Sequence, residues 1–166
     1  LEIFRQSPGS ALDTLAAESL TRPRAGFDIR ISPDQEPCGI LLPHLALWKS
    51  IGLQACARAT AELYLQQSDA ALRDVMLSLH MGDSLQEEPF LISLLVSVAL
   101  RELSANAIWY GLATRQWNAA QLEQLQARLE AADLVATAHR SLNAERIAIQ
   151  MEIDWFARHY PGGARF

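Results

Sequence analysis

From Pro43 to His159 apolar residues recur at the three- and four-residue spacing of a helix buried on one face. Punctuation cuts this stretch into five long runs. Pro43 suits a first helical position and opens a run to about Gln66, and Ser68 can cap a second run through "DAALRDVMLSLHMGD". Pro89 opens a third to about Thr114. Asn118 followed three positions later by Gln121 has the spacing of a capping box, and a last helix is expected from about Ala131 to His159, where "PGG" stops it. Short turns between long helices make successive helices antiparallel neighbours. The expected fold is therefore all-α: an antiparallel bundle of about five long helices over residues 43–160, with an irregular arm over 1–42 and a tail over 161–166.

The arm carries four of the chain's seven prolines and one short helical candidate, from about Ser10 to Leu20. Within it "FDIRIS", Phe27 to Ser32, alternates apolar and polar residues with the period of a strand. A solitary strand has nothing to pair with in a helical domain, so this segment is expected to pack as extended chain.

The third long run is the most apolar, and it contains the adjacent charges Arg101 and Glu102 in "FLISLLVSVALREL". Its uninterrupted low-polarity stretch, Pro89 to Leu100, is shorter than the ~20 residues a bilayer requires, so no membrane span is expected within the chain. Turning about 100° per residue gathers Ser93, Ser97, Arg101, Ser104 and Arg115 on one side and Leu91, Leu95, Val98 and Trp109 on the other. Glu102 and Asn106 fall inside the apolar stripe and are expected to be buried, with this helix at the centre of the bundle and its serines letting a neighbour approach closely. An unpartnered carboxylate there would cost several kcal/mol unless it found a cation, hydrogen bonds or water. The last helix poses the same problem, because its stripe of Ala138, Leu142, Ile149, Ile153 and Phe156 includes Glu145, with Glu152 at the border. Arg58, His139 and Arg146, at the edges of their own stripes, are the natural partners. Two readings follow: inward ion pairs that fix helix register, or a site built on Glu102, Asn106 and Glu145.

Charge and motifs narrow the chemistry. The net charge is -5, with nineteen acidic residues among fourteen basic ones, one lysine and no basic cluster, which gives no electrostatic grip on nucleic acid. Neither Glu-x-x-His nor His-Glu-x-x-His occurs, and Cys38 and Cys56 have no metal-ligand spacing, so neither a metal nor a cofactor is expected. The two cysteines could form one bridge or stay reduced. There is no G-x-S-x-G elbow and no glycine-rich phosphate loop ahead of a helix. Paired carboxylates remain the one acid-base arrangement open to the chain. His44, His80 and His159 read as surface or capping residues, and Trp155, Phe156, Tyr160 and Phe166 as aromatics that close the core.

"LYLQQSDAALRDVMLSL" resembles the turn and second helix of a tetratricopeptide repeat, with Ala71 at the small-residue position and Val75 and Ser78 at later packing positions. Gln66 and Gln67 stand where that repeat has Gly-Asp. The set "GILLPHLALWKSIGLQACARATAELYLQQSDAALRDVMLSL", "EEPFLISLLVSVALRELSANAIWYGL", "AAQLEQLQARLEA" and "LNAERIAIQ" resembles a family of uncharacterised bacterial all-helical proteins. The resemblance covers about two-thirds of the chain and runs to the pair Glu145 and Arg146. Members typically have a membrane helix ahead of this domain, which implies an extracytoplasmic, membrane-anchored location, the cytoplasm being the alternative. The resemblance implies no activity. The expected role is a non-enzymatic helical protein-interaction or scaffold module of the bacterial envelope, with a protein partner. The alternative is a hydrolase or small-ligand-binding domain using Glu102 and Glu145.

Overall fold

The computed structural model describes residues 11–22, 26, 27, 29 and 39–160. They form six helices and, among the described residues, no strand: α1 (Ala11–Thr21), α2 (Pro43–Tyr64), α3 (Ser68–Ser84), α4 (Leu91–Ala113), α5 (Ala119–Glu130) and α6 (Leu134–His159). The all-α expectation holds, with five longer helices after one short one. Pro43 opens α2, and Asn118 caps α5 through the expected box, its side chain accepting from Gln121 N while the Gln121 side chain accepts from Asn118 N. Two starts differ. Asp133, not a residue near Ala131, caps α6 by accepting from Ala136 N, and Ser68 is the first residue of α3 rather than its cap.

Both long hairpin turns close the same way. Gln67 N donates to Glu62 O and Gln66 N to Leu63 O, while Gln116 N donates to Gly111 O and Arg115 N to Leu112 O. These are paired six-to-one and five-to-two bonds, and the residue between them is left-handed, with φ 61° at Gln66 and 54° at Arg115. Glycine normally takes that position because a side chain there is strained. The tetratricopeptide-like positions Ala71, Val75 and Ser78 beyond the first turn are all fully buried.

Helices α2, α3 and α4 pack on one another, α1 and α5 lie against α3, and α6 lies against α4. The centre is α3, which touches four helices, and not α4. One apolar cluster joins Leu63, Val75, Leu79, Ile108, Trp117 and Leu125; a second joins Leu45, Leu77, Met81, Leu85 and Leu100. Phe27 packs on the second cluster, stacking on His44 at 4.1 Å and meeting Trp48 edge-on at 4.9 Å. The remainder of the strand-like stretch at Asp28 and 30–32, together with Cys38 and the tail containing Phe166, lies outside the described residues.

The expectation that the apolar stripe of α4 faces inward is overturned. Ser93, Ser97 and Ser104 are fully buried and Arg101 nearly so, whereas Ile92, Leu95, Val98, Glu102, Asn106 and Trp109 are exposed. Small side chains explain the inversion, because they allow backbones to approach closely and find polar partners there. Ser97 Oγ donates to Gly82 O at 2.7 Å, and Ser104 Oγ lies 2.9 Å from Leu100 O and 3.0 Å from Ser78 Oγ. On the facing helix a methyl group at Gly52 would collide with the Leu100 side chain. No hydroxyl on this face is left without a bond.

Candidate functional site

The residues singled out from the sequence do not converge. Glu102 and Asn106 are exposed on α4 and Glu145 is half-buried on α6. None of these three side chains makes a hydrogen bond or ion pair among the described residues. His139 and Arg146 are exposed on α6. Arg58 alone joins a buried ion pair, and its partner is a residue the sequence reading passed over.

Arg58 Nε lies 2.5 Å from Asp74 Oδ2 and Arg58 Nη2 lies 2.6 Å from Asp74 Oδ1, a two-pronged pair between α2 and α3. Asp74 is 1% exposed. Asp13 of α1 adds a second carboxylate at 2.9 Å from Arg58 Nη2, which ties α1 to the hairpin. Burial pushes the Asp74 carboxyl upward and the guanidinium opposes that rise, while Asp74 holds the Arg58 pKa above its ordinary value. Glu62, one turn along α2, comes no closer than 4.0 Å to Arg58 Nε, and its Oε2 is buried with no hydrogen-bond partner. Burial first, then repulsion from Asp74, pushes Glu62 up to about 7, with Arg58 and Arg73 opposing and Asp13 adding.

That position makes stability pH-dependent. Below about pH 4.5 Glu62 holds its proton folded or unfolded and costs nothing. As pH rises toward 7 only the unfolded chain releases the proton, so stability falls, and above about 7 the loss levels off. The span from 4.5 to about 7 corresponds to at most roughly 3 kcal/mol, with some discount for the partial exposure of the side chain. Glu62→Gln should therefore stabilise by about 2 kcal/mol at alkaline pH and leave acid stability unchanged. Denaturant titrations across that range check it, and a parallel offset at every pH would refute the titration.

A second ionic cluster borders a cleft. Asp83 at the end of α3 is held between Arg101 of α4, through Nη2, and Arg128 of α5, whose Nη2 lies 2.5 Å from Asp83 Oδ2. The cleft, about 860 Å³, runs between α1, α3 and α5. Leu72 and Met76 of α3 form its floor, and Ala16, Ala17 and Leu20 of α1 its opposite wall. Arg73 stands one turn before Met76, with His80 and Asp83 one and two turns after it. Burial, aided by Arg128, lowers the His80 pKa against the pull of Asp83, so its imidazole is neutral near pH 7. Gln121 pins α5 beside the cleft, donating from Nε2 to Asp69 Oδ1 at 2.7 Å and to Ser68 Oγ at 3.2 Å.

A third polar group does not form a nucleophile. Glu88 accepts from Ser93 Oγ at 2.5 Å and pairs with His44 Nε2 at 2.8 Å, so the carboxylate separates the hydroxyl from the imidazole, and Ser93 is fully buried. A Ser-His-Asp relay needs the imidazole in the middle. Cys56 is a free, buried thiol 3.8 Å from Ser104 Oγ, and burial pushes its pKa up, away from reactivity. Among the described residues no three His, Cys, Asp or Glu side chains group to hold a metal ion.

Arg58 and Asp74 were findable. Each lies eight residues from Gln66, the apex of the turn, and residues equidistant from the apex of an antiparallel hairpin face each other. The cleft gave no such signal, since it depends on where α1 lands after a long connection. Helix α4 is, among the described residues, the one helix long and apolar enough to cross a membrane, and its serine face is built into the three-helix core. At the C-terminal end Trp155 stacks on His159 at 4.2 Å, while Phe156 and Tyr160 are exposed, so these aromatics contact one another more than they close the core. Comparison of the chain with protein-family models, with curated proteins and with solved structures finds no match in any of the three.

Proposed function

We propose that this chain is a helical protein-interaction module whose docking surface is the outward face of α4. The observation that carries the reading is a row at alternating three- and four-residue spacing: Leu91, Leu95, Val98, Glu102, Ala105, Trp109 and Leu112. This is the spacing of a coiled-coil seam. Leu95 is 56%, Val98 42% and Trp109 71% exposed. Ile92, beside the row, is 50% exposed, and an exposed group of large apolar side chains of this kind is a usual mark of an interaction site. A helix laid along it would bury these side chains knobs-into-holes.

Glu102 in the middle of the row sets the chemistry of that partner. Buried without a cation it would cost several kcal/mol, so the fitting partner is an apolar helix carrying Lys or Arg at the facing position. The sequence resemblance supports placing this module at the bacterial envelope. An enzyme using Glu102 and Glu145 is the weaker reading, since one acid is exposed on α4, the other is half-buried on α6, and among the described residues no bond joins them.

A benzophenone side chain at Val98 tests the reading in cells expressing the protein. Irradiation should give one discrete protein adduct from position 98 and none from Glu123, an exposed position on α5. Equal labelling at both positions, or none at 98, would overturn it. Glu102→Lys should abolish the adduct while leaving the fold intact, because the side chain it replaces lies in solvent.

A further inference from the structure

We propose that the cleft between α1, α3 and α5 binds an amphipathic organic monoanion, an acyl or aryl-alkyl carboxylate whose chain lies on Met76 and Leu72 and whose head meets Arg73. This site is separate from the α4 surface. At about 860 Å³ the cleft falls within the roughly 300–1,000 Å³ of small-molecule pockets, and it sets an apolar surface of Leu72, Met76, Ala16, Ala17 and Leu20 beside a larger number of polar side chains than such pockets usually carry.

Charge balance selects the sign. Asp83 is matched by Arg101 and Arg128 together, and Asp13 shares Arg58 with Asp74. With Arg73, which has no ion pair among the described residues, four guanidiniums face three carboxylates, so the charge left over is positive although the chain as a whole carries -5. A neutral His80 adds a hydrogen-bonding group without adding charge. The chain of the ligand would replace water over Leu72, Met76, Ala16, Ala17 and Leu20, the surface that makes burial favourable. A phosphate dianion fits less well, because the Asp13 and Asp83 carboxylates border the same space and repel a second negative charge.

Calorimetric titration of the whole chain with decanoate, decanol and decyltrimethylammonium tests the assignment. Decanoate should bind at least about tenfold more tightly than decanol, and the ammonium ion should not bind. Arg73→Ala, at an exposed position, should weaken decanoate by about tenfold while leaving decanol unchanged. Met76→Trp should abolish binding by filling the floor. Ala17→Trp blocks the opposite wall from an exposed position of α1, so the conclusion does not depend on Met76→Trp keeping its fold. Val98→Glu on α4 should change nothing. Equal affinity for decanoate and decanol, binding that survives Ala17→Trp, loss of binding in Val98→Glu, or no binding of decanoate would each overturn the proposal.

Discussion

Asp74→Ala should lower the unfolding free energy by about 3 kcal/mol, the lower part of the range for breaking a buried ion pair. The loss is dominated by what the substitution leaves behind. The Arg58 side chain is only 11% exposed and would lose both prongs of its shortest pairing. Asp13, at 2.9 Å, still neutralises part of that charge, and Glu62, at 4.0 Å, can move in, which is why the upper part of the range is not expected. Two further results separate this account from simple loss of packing. Arg58→Met with Asp74→Leu should recover most of the stability, because two apolar groups replace two charges that had to be desolvated. In Asp74→Ala the stability lost between about pH 4.5 and 7 should also shrink, since the repulsion that helps raise Glu62 is gone and an unpaired Arg58 attracts its ionised form. Denaturation curves at several pH values measure both. A cost under about 1 kcal/mol would mean that Arg58 finds solvent or Glu62 freely and that the pair does not hold the α2/α3 hairpin.

The same pair shows what the sequence could and could not deliver. Local signals read well: Pro43, the Asn118–Gln121 box and the turn at Gln66 fix where helices start and stop, because a few residues decide each. The facing of α4 misled, because hydrophobic periodicity assumes that the greasier side is the inner one. In α4 the choice is decided by how close two backbones can come. Ser93, Ser97 and Ser104 opposite Gly82 and Ser78 win that contest because each hydroxyl bonds locally, leaving Leu95, Val98 and Trp109 outside. The clue lies in the row of small residues itself, a close-packing face that competes with the greasier stripe for the inner position. Glu102 follows directly. A carboxylate in the middle of an apolar stripe looks like a buried charge until that stripe is turned outward, where it stands in water and can instead select a partner. Asp83 and its two arginines were out of reach for another reason, since they link α3, α4 and α5 and no single hairpin apex relates all three.

Trp117→Ala should cost about 3–5 kcal/mol, the cost of removing a buried aromatic together with the cavity it leaves. After the left-handed turn at Arg115 the chain doubles back and lays Trp117 against α4, where its Nε1 donates to Ile108 O at 3.0 Å. The indole belongs to the apolar cluster of Leu63, Val75, Leu79, Ile108 and Leu125, which joins α2, α3, α4 and α5. Gly111 makes room for it: a Cβ there would overlap the indole at Nε1 and Cε2. The ring cannot yield by rotating a flexible end, because it is rigid and held by its hydrogen bond, so Gly111→Ala should cost about 1–3 kcal/mol by overpacking. The two positions should then couple. In a Trp117→Phe background, with a smaller ring and no N–H to hold it, Gly111→Ala should cost less than in the native chain, by at least about 0.5 kcal/mol in a double-mutant cycle. The Gln121 contacts to Ser68 and Asp69 would still hold α5 on α3, so loss of Trp117 should loosen the α4–α5 connection before the α2/α3 hairpin. Hydrogen exchange should show that order, with amides near Thr114 losing protection ahead of those near Val75. Simultaneous loss across both regions would mean that the tryptophan supports one cooperative unit and not a local clasp.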